Sequence, residues 1–376
     1  MIDTAVGGSL MNCVVCLVSL ALLAGAGSIG LLAQAPATGP YRVIKSARVG
    51  GEGGWDYLFA DSIGRRLYIP RRSAPATATA PASPARVTVF NLDTLEPIGS
   101  VDGVGGNGVV IDAKSGYGFT SSRPVSMFDT KTLKAVKTID VTGQPDGILF
   151  DPFNERVYVF SHPTKDATVI DAKDGTLLGT IDLGGTPEQA ATDGNGTIYV
   201  VMQDAEGSVT VVDAKTMRAT GHFPLGDKGG CNGLALDVKN QVLFAACNRS
   251  GNPPVTPPQP TMVVLSAKDG KVLAALPLTG ASDGAAFNPA TLEAFTTTGN
   301  GMLTVVKETS PTSFEVEQNL PTMNGARTIA FDAATGHIFT MSVERGPAPP
   351  PPADGGRPAP APTIPGSFTI LMSGKN

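Results

Sequence analysis

The chain reads VSMFD at residues 125–129, ATVID at 167–171 and VTVVD at 209–213. The aspartates that close these three runs are 42 residues apart in both steps. A period of about 40 residues that contains several short apolar runs is typical of a β-propeller, in which each repeat forms one four-stranded blade. These runs then correspond to the third strand of successive blades.

Two further apolar runs precede this motif in every repeat. The first run reads DYLFAD, NGVVID, DGILFD, EQAATD, NGLALD, DGAAFN and RTIAFD, and begins at Asp56, Asn107, Asp146, Glu188, Asn232, Asp283 and Arg327. The second run reads RLYIPR, YGFTSS, RVYVFS, TIYVVM, VLFAAC, EAFTTT and HIFTMS. Seven copies of each run predict an all-β, seven-bladed β-propeller of four-stranded antiparallel blades.

The two ends of the chain indicate how this ring closes. Only six fourth strands follow their own third strand, and the chain ends soon after the last third strand, SFTILM. Residues 41–49 (YRVIKSARV) have the fourth-strand pattern and precede the first blade. We therefore expect the N-terminal strand to complete the last blade, which removes an open sheet edge.

Composition limits the class of protein. The 376 residues are 41% hydrophobic and 16% charged, with a formal net charge of −5. A basic stripe is absent from the sequence, so we do not expect nucleic acid as a partner. Because a propeller is one closed unit, residues 36–376 are predicted to form a single domain, and we expect a monomer.

The N-terminal segment resembles a targeting signal. Residues 10–32 are almost uninterruptedly apolar, and Ala33-Gln34-Ala35 is a cleavage-type pattern. We therefore predict that residues 1–35 are a signal peptide and that the protein is exported to the periplasm, the cell surface or the medium of a bacterium. A retained membrane anchor is the alternative. Cys13 and Cys16 lie within this run without a following histidine, which matches neither haem attachment nor a redox motif.

Export makes disulfide bonds possible, and two cysteines are suitably placed for one. Cys231 precedes the first strand of the fifth blade, and Cys247 ends its second strand. Antiparallel neighbours joined by a short turn bring these two positions opposite each other. We predict a disulfide between them, with two free buried thiols as the alternative.

Three segments are rich in proline, residues 73–85, 250–261 and 346–366. Each falls between a second and a third strand, and in a four-stranded meander those loops lie on the face where the first strands begin. We expect semi-stiff, polyproline-like arms on that face. The alternative is that they are tolerated insertions at exposed hairpin tips.

The first residues of the seven innermost strands should form a ring around the channel mouth. They are four acids, two amides and one arginine: Asp56, Asp146, Glu188, Asp283, Asn107, Asn232 and Arg327. Crowded carboxylates raise one another's pKa or attract a cation. We expect a hard cation such as Ca²⁺ at the four acids, or a polyhydroxylated or cationic ligand bound by the whole ring. Trp55 is adjacent and is a further candidate ligand contact. The alternatives are a solvated polar mouth and a tryptophan that only packs.

Several motif matches lack the context that their chemistry needs. Residues 103–108 match G-x-G-x-x-G and residues 280–284 match G-x-S-x-G, but both lead into strands and not into helices. The three histidines, His162, His222 and His337, fall on three different blades, so a three-histidine zinc site is not expected. His162 alone should lie near the ring face. Neither haem nor a nicotinamide cofactor is expected.

The chain resembles the YVTN-type (YncE-like) seven-bladed propeller proteins of bacteria. The resemblance is carried by GGWDYLFADSIGRRLYI, GQPDGILFDPFNERVYVFS and GARTIAFDAATGHIF. It implies an exported or surface-associated propeller from a family whose members mostly have no assigned reaction, and it supplies no catalytic residues. Seven-bladed quinone-dependent dehydrogenases share the broad shape, but their blades are rich in tryptophan and this chain has one, so a quinone is not expected.

The sequence thus favours a binding scaffold over an enzyme. Its occupant would be a protein, a cell-wall component or a small polar ligand at the face that bears the ring and the proline-rich loops. The alternative function is a cation-assisted hydrolase or lactonase in which Asp146 and Glu188 are the general-base candidates.

Overall fold

The computed structural model describes residues 38–76, 81–251, 253–350, 352 and 359–375. The described residues belong to one compact unit. The predicted signal peptide or anchor and the Cys13–Cys16 pair lie outside the described residues. Among the residues that are described, we find no helix of the length and apolarity needed to cross a membrane.

In the described part of the chain, 28 strands form seven four-stranded antiparallel sheets. Blades 1 to 3 comprise β2 (Phe59–Asp61), β3 (Arg66–Arg71), β4 (Arg86–Asn91) and β5 (Pro97–Asp102); β6 (Val109–Asp112), β7 (Tyr117–Thr120), β8 (Val125–Asp129) and β9 (Lys134–Ile139); and β10 (Pro145–Asp151), β11 (Arg156–Ser161), β12 (Asp166–Asp171) and β13 (Leu177–Asp182). Blades 4 and 5 comprise β14 (Pro187–Thr192), β15 (Thr197–Met202), β16 (Ser208–Asp213) and β17 (Arg218–Pro224); and β18 (Lys228–Asp237), β19 (Val242–Ser250), β20 (Thr261–Ser266) and β21 (Val272–Pro277). Blade 6 comprises β22 (Ser282–Asn288), β23 (Glu293–Thr298), β24 (Met302–Ser310) and β25 (Ser313–Pro321). Blade 7 comprises β26 (Ala330–Asp332), β27 (His337–Ser342), β28 (Thr369–Lys375) and β1 (Tyr41–Arg48).

Blade 7 confirms the predicted closure, because its outermost strand is the N-terminal β1, paired antiparallel with β28. The backbone of Tyr41 also exchanges two hydrogen bonds with the side chain of Gln318 on β25, at 3.0 and 2.9 Å. The Tyr41 hydroxyl donates to the buried carboxylate of Glu293 on blade 6, which also accepts from Lys375 Nζ at 2.7 Å. The first and last strands are thereby fixed to the neighbouring blade.

The core is divided among the blade interfaces. Seven clusters of buried apolar side chains occur, one at each contact between successive blades, including the contact between blades 7 and 1. Valine, leucine, isoleucine and alanine predominate in them, as the low aromatic content predicts. Each blade therefore buries both faces of its sheet against its neighbours.

Three innermost strands begin later than predicted. The strands β2, β6 and β26 start two or three residues after Asp56, Asn107 and Arg327. The backbone near these positions forms hydrogen bonds between neighbouring blades. Tyr57 N–H donates to the Asn107 carbonyl at 2.9 Å, and Asp283 N–H donates to the Arg327 carbonyl at 3.2 Å. The start of each strand is thus held at the channel by its neighbour.

The structure contains the predicted Cys231–Cys247 disulfide, and the two residues are direct partners in the β18–β19 ladder. Each of the proline-rich segments connects a second to a third strand, as predicted. Two of them extend their hairpin by a single bridge, between Ala74 and Ser83 and between Arg345 and Thr363.

Candidate functional site

The seven predicted ring residues define the surface that we call the mouth: Asp56, Asn107, Asp146, Glu188, Asn232, Asp283 and Arg327. Side chains from neighbouring blades are hydrogen-bonded to each other around it. Asn107 Nδ2 donates to Asp146 Oδ1 at 2.7 Å. On the opposite side, Asp283 accepts from Asn232 Nδ2 at 2.8 Å and forms an ion pair with Arg327 Nε at 3.0 Å. The mouth therefore carries two separate groups of hydrogen-bonded or paired polar side chains.

The residue that follows each ring residue determines how closely the innermost strands approach. Glycine occupies this position in four blades, at Gly108, Gly147, Gly233 and Gly284. A Cβ on Gly147 would lie 2.8 Å from the Glu188 carbonyl oxygen, and one on Gly233 would lie 2.8 Å from the Gly284 backbone. Any larger residue would force the strands apart, so glycine here keeps the channel narrow.

Two of the other blades place a large polar side chain at this position, and both side chains reach other blades. The Tyr57 hydroxyl of blade 1 donates to Glu188 Oε2 of blade 4 at 2.8 Å. Gln189 of blade 4 accepts from Leu234 N–H at 3.0 Å and Ala285 N–H at 2.8 Å, and donates to the Ala285 carbonyl at 2.9 Å. Tyr57 and Gln189 thus lie directly below the mouth.

A second set of side chains, from the residues that follow the second strand of a blade, surrounds the mouth. Arg72 follows β3, and its guanidinium donates to Asn107 Oδ1. Gln203 follows β15, and its Nε2 donates to Glu188 Oε1 at 2.5 Å. His162 follows β11 and lies between two of the ring carboxylates. These positions are equivalent in successive blades, so the repeat itself delivers their side chains to the same face.

His162 brings a histidine and two acids together. Its Nε2 is 3.1 Å from Asp146 Oδ2 and 3.4 Å from Glu188 Oε1. These contacts lack hydrogen-bond geometry, and solvent does not reach Nε2. One donor atom from each of the three residues lies within 4.8 Å of the other two. This group, Asp146, His162 and Glu188, is called the triad below.

Burial and charge crowding raise the pKa of several acids at the mouth, as the sequence predicts. Burial raises the pKa of Asp56 to about 7, helped by the charges of Asp283 and Asp146 and opposed by Arg327 and Arg72. Burial likewise raises the pKa of Asp146 and of Glu188. The pKa of His162 is raised, first by Glu188 and then by Asp146.

Asp56 differs from the other three acids. Asp146, Glu188 and Asp283 are each held by hydrogen bonds or ion pairs. Among the described residues, the Asp56 carboxyl forms neither a hydrogen bond nor an ion pair, and only its backbone carbonyl accepts a bond, from Thr328 Oγ1 at 2.8 Å. Its oxygens therefore remain available to a molecule in the mouth.

Trp55 packs against the protein. Its ring meets Phe368 edge to face at a centroid distance of 5.0 Å, and the Arg71 guanidinium lies 5.7 Å from it. The side chain is part of the apolar cluster between blades 7 and 1. Trp55 therefore packs at the edge of the mouth, and its role as a ligand contact stays a prediction.

The two general-base candidates have few free acceptor positions. Glu188 Oε2 accepts from Tyr57 and Oε1 from Gln203. Asp146 Oδ1 accepts from Asn107, and Oδ2 faces His162. A general base needs a free lone pair within hydrogen-bond reach of the proton that it removes. Asp146 Oδ2, which accepts no hydrogen bond among the described residues, is the oxygen of the two side chains that has free lone pairs.

The sequence predicts the ring but not the residues that support it. It places His162 near the ring face, whereas Tyr57, Arg72, Gln189 and Gln203 are not singled out. The position after the second apolar run of each repeat is polar in blades 1 to 5, as Arg72, Arg123, His162, Gln203 and Asn248. That alignment points to Arg72 and Gln203, two of the four missed residues.

Comparison with known proteins supports the fold. Family models and curated proteins give no match to the chain. Among solved structures, hydrazine synthase from Kuenenia stuttgartiensis superposes with a TM-score of 0.63 at 15% identity, over 76% of this chain and 91% of that one. The WD40 repeats of RRP9 superpose with a TM-score of 0.64 at 10% identity, over 90% of this chain and 98% of that one. These likenesses show the fold alone. Membership of the YncE-like family stays a prediction.

Proposed function

We propose that this protein is an exported β-propeller that binds a small polar ligand, hydroxyl-rich or cationic, at the mouth. The observation that carries the proposal is the Asp56 carboxyl, which has no protein partner among the described residues although the acids around it are all paired. A hydroxyl or ammonium group of a ligand would supply the missing donor, and a charge-assisted bond of this kind is stronger than a neutral one.

The charge of the mouth supports a ligand of this class. The ring carries four carboxyls. Three basic side chains lie at the ring: Arg72 contacts Asn107, Arg327 contacts Asp283 and His162 contacts Asp146. When all the acids are ionised, the mouth is negative whether or not His162 is protonated. A hydroxyl-rich or cationic molecule is compatible with this balance, whereas an anion would face the ring carboxylates.

The geometry of the mouth supports a small ligand over a threaded polymer. The side chains of Tyr57 and Gln189 lie across the channel just below the ring. The glycines that follow four of the ring residues allow the innermost strands to approach closely. A ligand would enter from the face that carries the proline-rich loops and rest on these two side chains. Concave sites with a few convergent polar groups are typical of small-molecule binding.

Export is supported by two independent features. The apolar run over residues 10–32 followed by Ala33-Gln34-Ala35 has the form of a signal peptide. The Cys231–Cys247 disulfide is the kind of bond that persists in oxidising compartments.

A ligand screen with two matched variants tests the proposal. Thermal unfolding of the protein is measured in chelator-containing buffer with a panel of polyols, amino sugars and diamines. We expect at least one compound to raise the melting temperature of the wild type and of Glu155→Gln, and not that of Asp56→Asn. Glu155 is on the opposite face, in an ion pair with Lys114, so its variant removes one negative charge far from the mouth.

Two results would contradict the proposal. One is a panel in which no compound shifts the wild type, which would favour a protein or cell-wall partner on the proline-rich face. The other is an equal shift in Asp56→Asn and in Glu155→Gln, which would place binding elsewhere.

A further inference from the structure

The triad lies on one side of the mouth, where blades 3 and 4 meet. Asp146 is on β10, His162 follows β11 of the same blade, and Glu188 is on β14 of the next blade. Rigid strands therefore carry the two acids, and the imidazole comes from a position fixed by the end of a strand. Sites supported by strands hold their geometry better than sites on long loops.

Two of the three donor-atom distances in the triad match the spacing of metal ligands, and the third, between the two acids, is within 4.8 Å. Ligands at zinc lie about 2.0–2.2 Å from the ion, and in a tetrahedral arrangement they are then about 3.3 Å from one another. The two measured contacts of His162 Nε2, 3.1 Å to Asp146 Oδ2 and 3.4 Å to Glu188 Oε1, have this separation.

Both acids of the triad are also oriented by a second partner. Asn107 holds the outer oxygen of Asp146 at 2.7 Å, and Tyr57 holds the outer oxygen of Glu188 at 2.8 Å. Outer partners that fix ligand orientation are characteristic of metal sites.

We propose that Asp146, His162 and Glu188 bind a divalent first-row transition-metal ion, for which Zn²⁺ is the first probe. The imidazole distinguishes this site from the all-oxygen Ca²⁺ site that the sequence suggested, since nitrogen ligands suit zinc and its neighbours and Ca²⁺ takes oxygen. Three protein ligands leave at least one coordination position open.

This inference rests on the proposed function in one respect, because the open position faces the same mouth. A hydroxyl or amine group of the bound ligand could take that position while another is held by Asp56. Asp56 is not a member of the triad, so ligand binding and metal binding can be separated by mutation.

The competing arrangement is a proton in place of the ion. A protonated His162 would form ion pairs with both carboxylates and would need no metal. This arrangement predicts that the protein has no specific affinity for Zn²⁺ at this position, which makes it directly testable.

The test is zinc binding by the full propeller after treatment with chelator. Isothermal titration with Zn²⁺ alone, and elemental analysis after dialysis, are carried out on the wild type, His162→Gln, Asp146→Asn, Asp56→Asn and His222→Gln. His222 is a histidine on the outermost strand of blade 4, where it contacts Thr210, and serves as the matched control. Circular dichroism and thermal unfolding verify that each variant is folded.

We expect one Zn²⁺ per chain in the wild type and in His222→Gln. In His162→Gln and Asp146→Asn the affinity should fall by more than about 100-fold, since changes to outer partners alone cost about 10- to 100-fold. In Asp56→Asn zinc binding should stay within a few-fold of the wild type while the small-ligand response is lost.

Two outcomes would overturn the inference. One is a wild-type protein that takes up no stoichiometric zinc, and the other is a folded His162→Gln that binds zinc as the wild type does. If a small ligand still bound through Asp56 in either case, the proposed function would stand without the metal. If zinc bound as expected and no ligand depended on Asp56, the proposed function would fail and the metal site would remain.

Discussion

The Tyr57 hydroxyl on blade 1 donates a hydrogen bond to Glu188 Oε2 on blade 4 at 2.8 Å, across the central channel. A seven-bladed ring has few ways to connect blades that are not neighbours, and this bond is one of them. It fixes one oxygen of Glu188 and leaves the other facing His162. The bond thereby links the floor of the mouth to the geometry of the triad.

Replacing Tyr57 by phenylalanine should weaken zinc binding without unfolding the protein. The change removes only the donor to Glu188 Oε2, so the carboxylate loses its fixed orientation. We expect an affinity for Zn²⁺ about 10-fold lower, measured by titration. Tyr199→Phe is the matched control, because it removes a hydroxyl that donates to the Ala267 carbonyl away from the mouth. Equal zinc affinities in the two variants would show that Tyr57 does not position Glu188.

The sequence predicted the fold far better than the site, for a physical reason. Strand periodicity and the 42-residue spacing are local features that each blade repeats, so seven copies determine the architecture. Contacts across the channel, such as Tyr57 with Glu188, join residues that no local pattern relates. The pairing of His162 with Asp146 and Glu188 likewise depends on the exact position at which β11 ends. The ring could therefore be predicted, but its partners could not.

A pair of buried acids outside the mouth should make the stability depend on pH. Glu308 on β24 is almost fully buried beside Asp237, and burial followed by the charge of Asp237 raises its pKa to about 7. Because the folded pKa lies above the unfolded one, the stabilisation is complete below about pH 4.5 and is lost as the pH rises through about 7. The loss should reach up to about 3 kcal/mol, at 1.36 kcal/mol per pKa unit.

Glu308→Gln should remove this dependence, since glutamine is neutral at every pH and can keep the bond that Glu308 accepts from Asn240 at 2.8 Å. Urea unfolding at pH 5 and pH 8 measures the effect. We expect the variant to be more stable than the wild type at pH 8 and about equal to it at pH 5. A difference that is the same at both pH values would exclude titration of Glu308 in this range.

The closure of the ring should depend on Glu293. Its side chain is fully buried and accepts from Tyr41, from Lys375 at 2.7 Å and from Thr291 at 2.6 Å. Glu293→Ala leaves the buried Tyr41 hydroxyl without its acceptor, and we expect a loss of about 1–3 kcal/mol in the free energy of unfolding. Urea denaturation tests this, with the exposed Glu315→Ala on the same blade as control. A loss below about 1 kcal/mol, as for a surface ion pair, would contradict this role.

The Cys231–Cys247 disulfide can be detected directly. Without reduction, trypsin should release residues 229–239 and 240–249 as one linked species, because Lys228, Lys239 and Arg249 flank the two cysteines. Reduction should separate them and lower the stability of the protein by about 3 kcal/mol, the value expected for a loop of about 15 residues. Two separate peptides in the unreduced digest would show free thiols.

Anomalous diffraction from crystals loaded with Zn²⁺ tests most directly the claim that the mouth holds a metal site at the triad. We predict a single strong peak about 2.0–2.2 Å from Asp146 Oδ2, His162 Nε2 and Glu188 Oε1. A peak only elsewhere on the surface, or no peak at all, would contradict it.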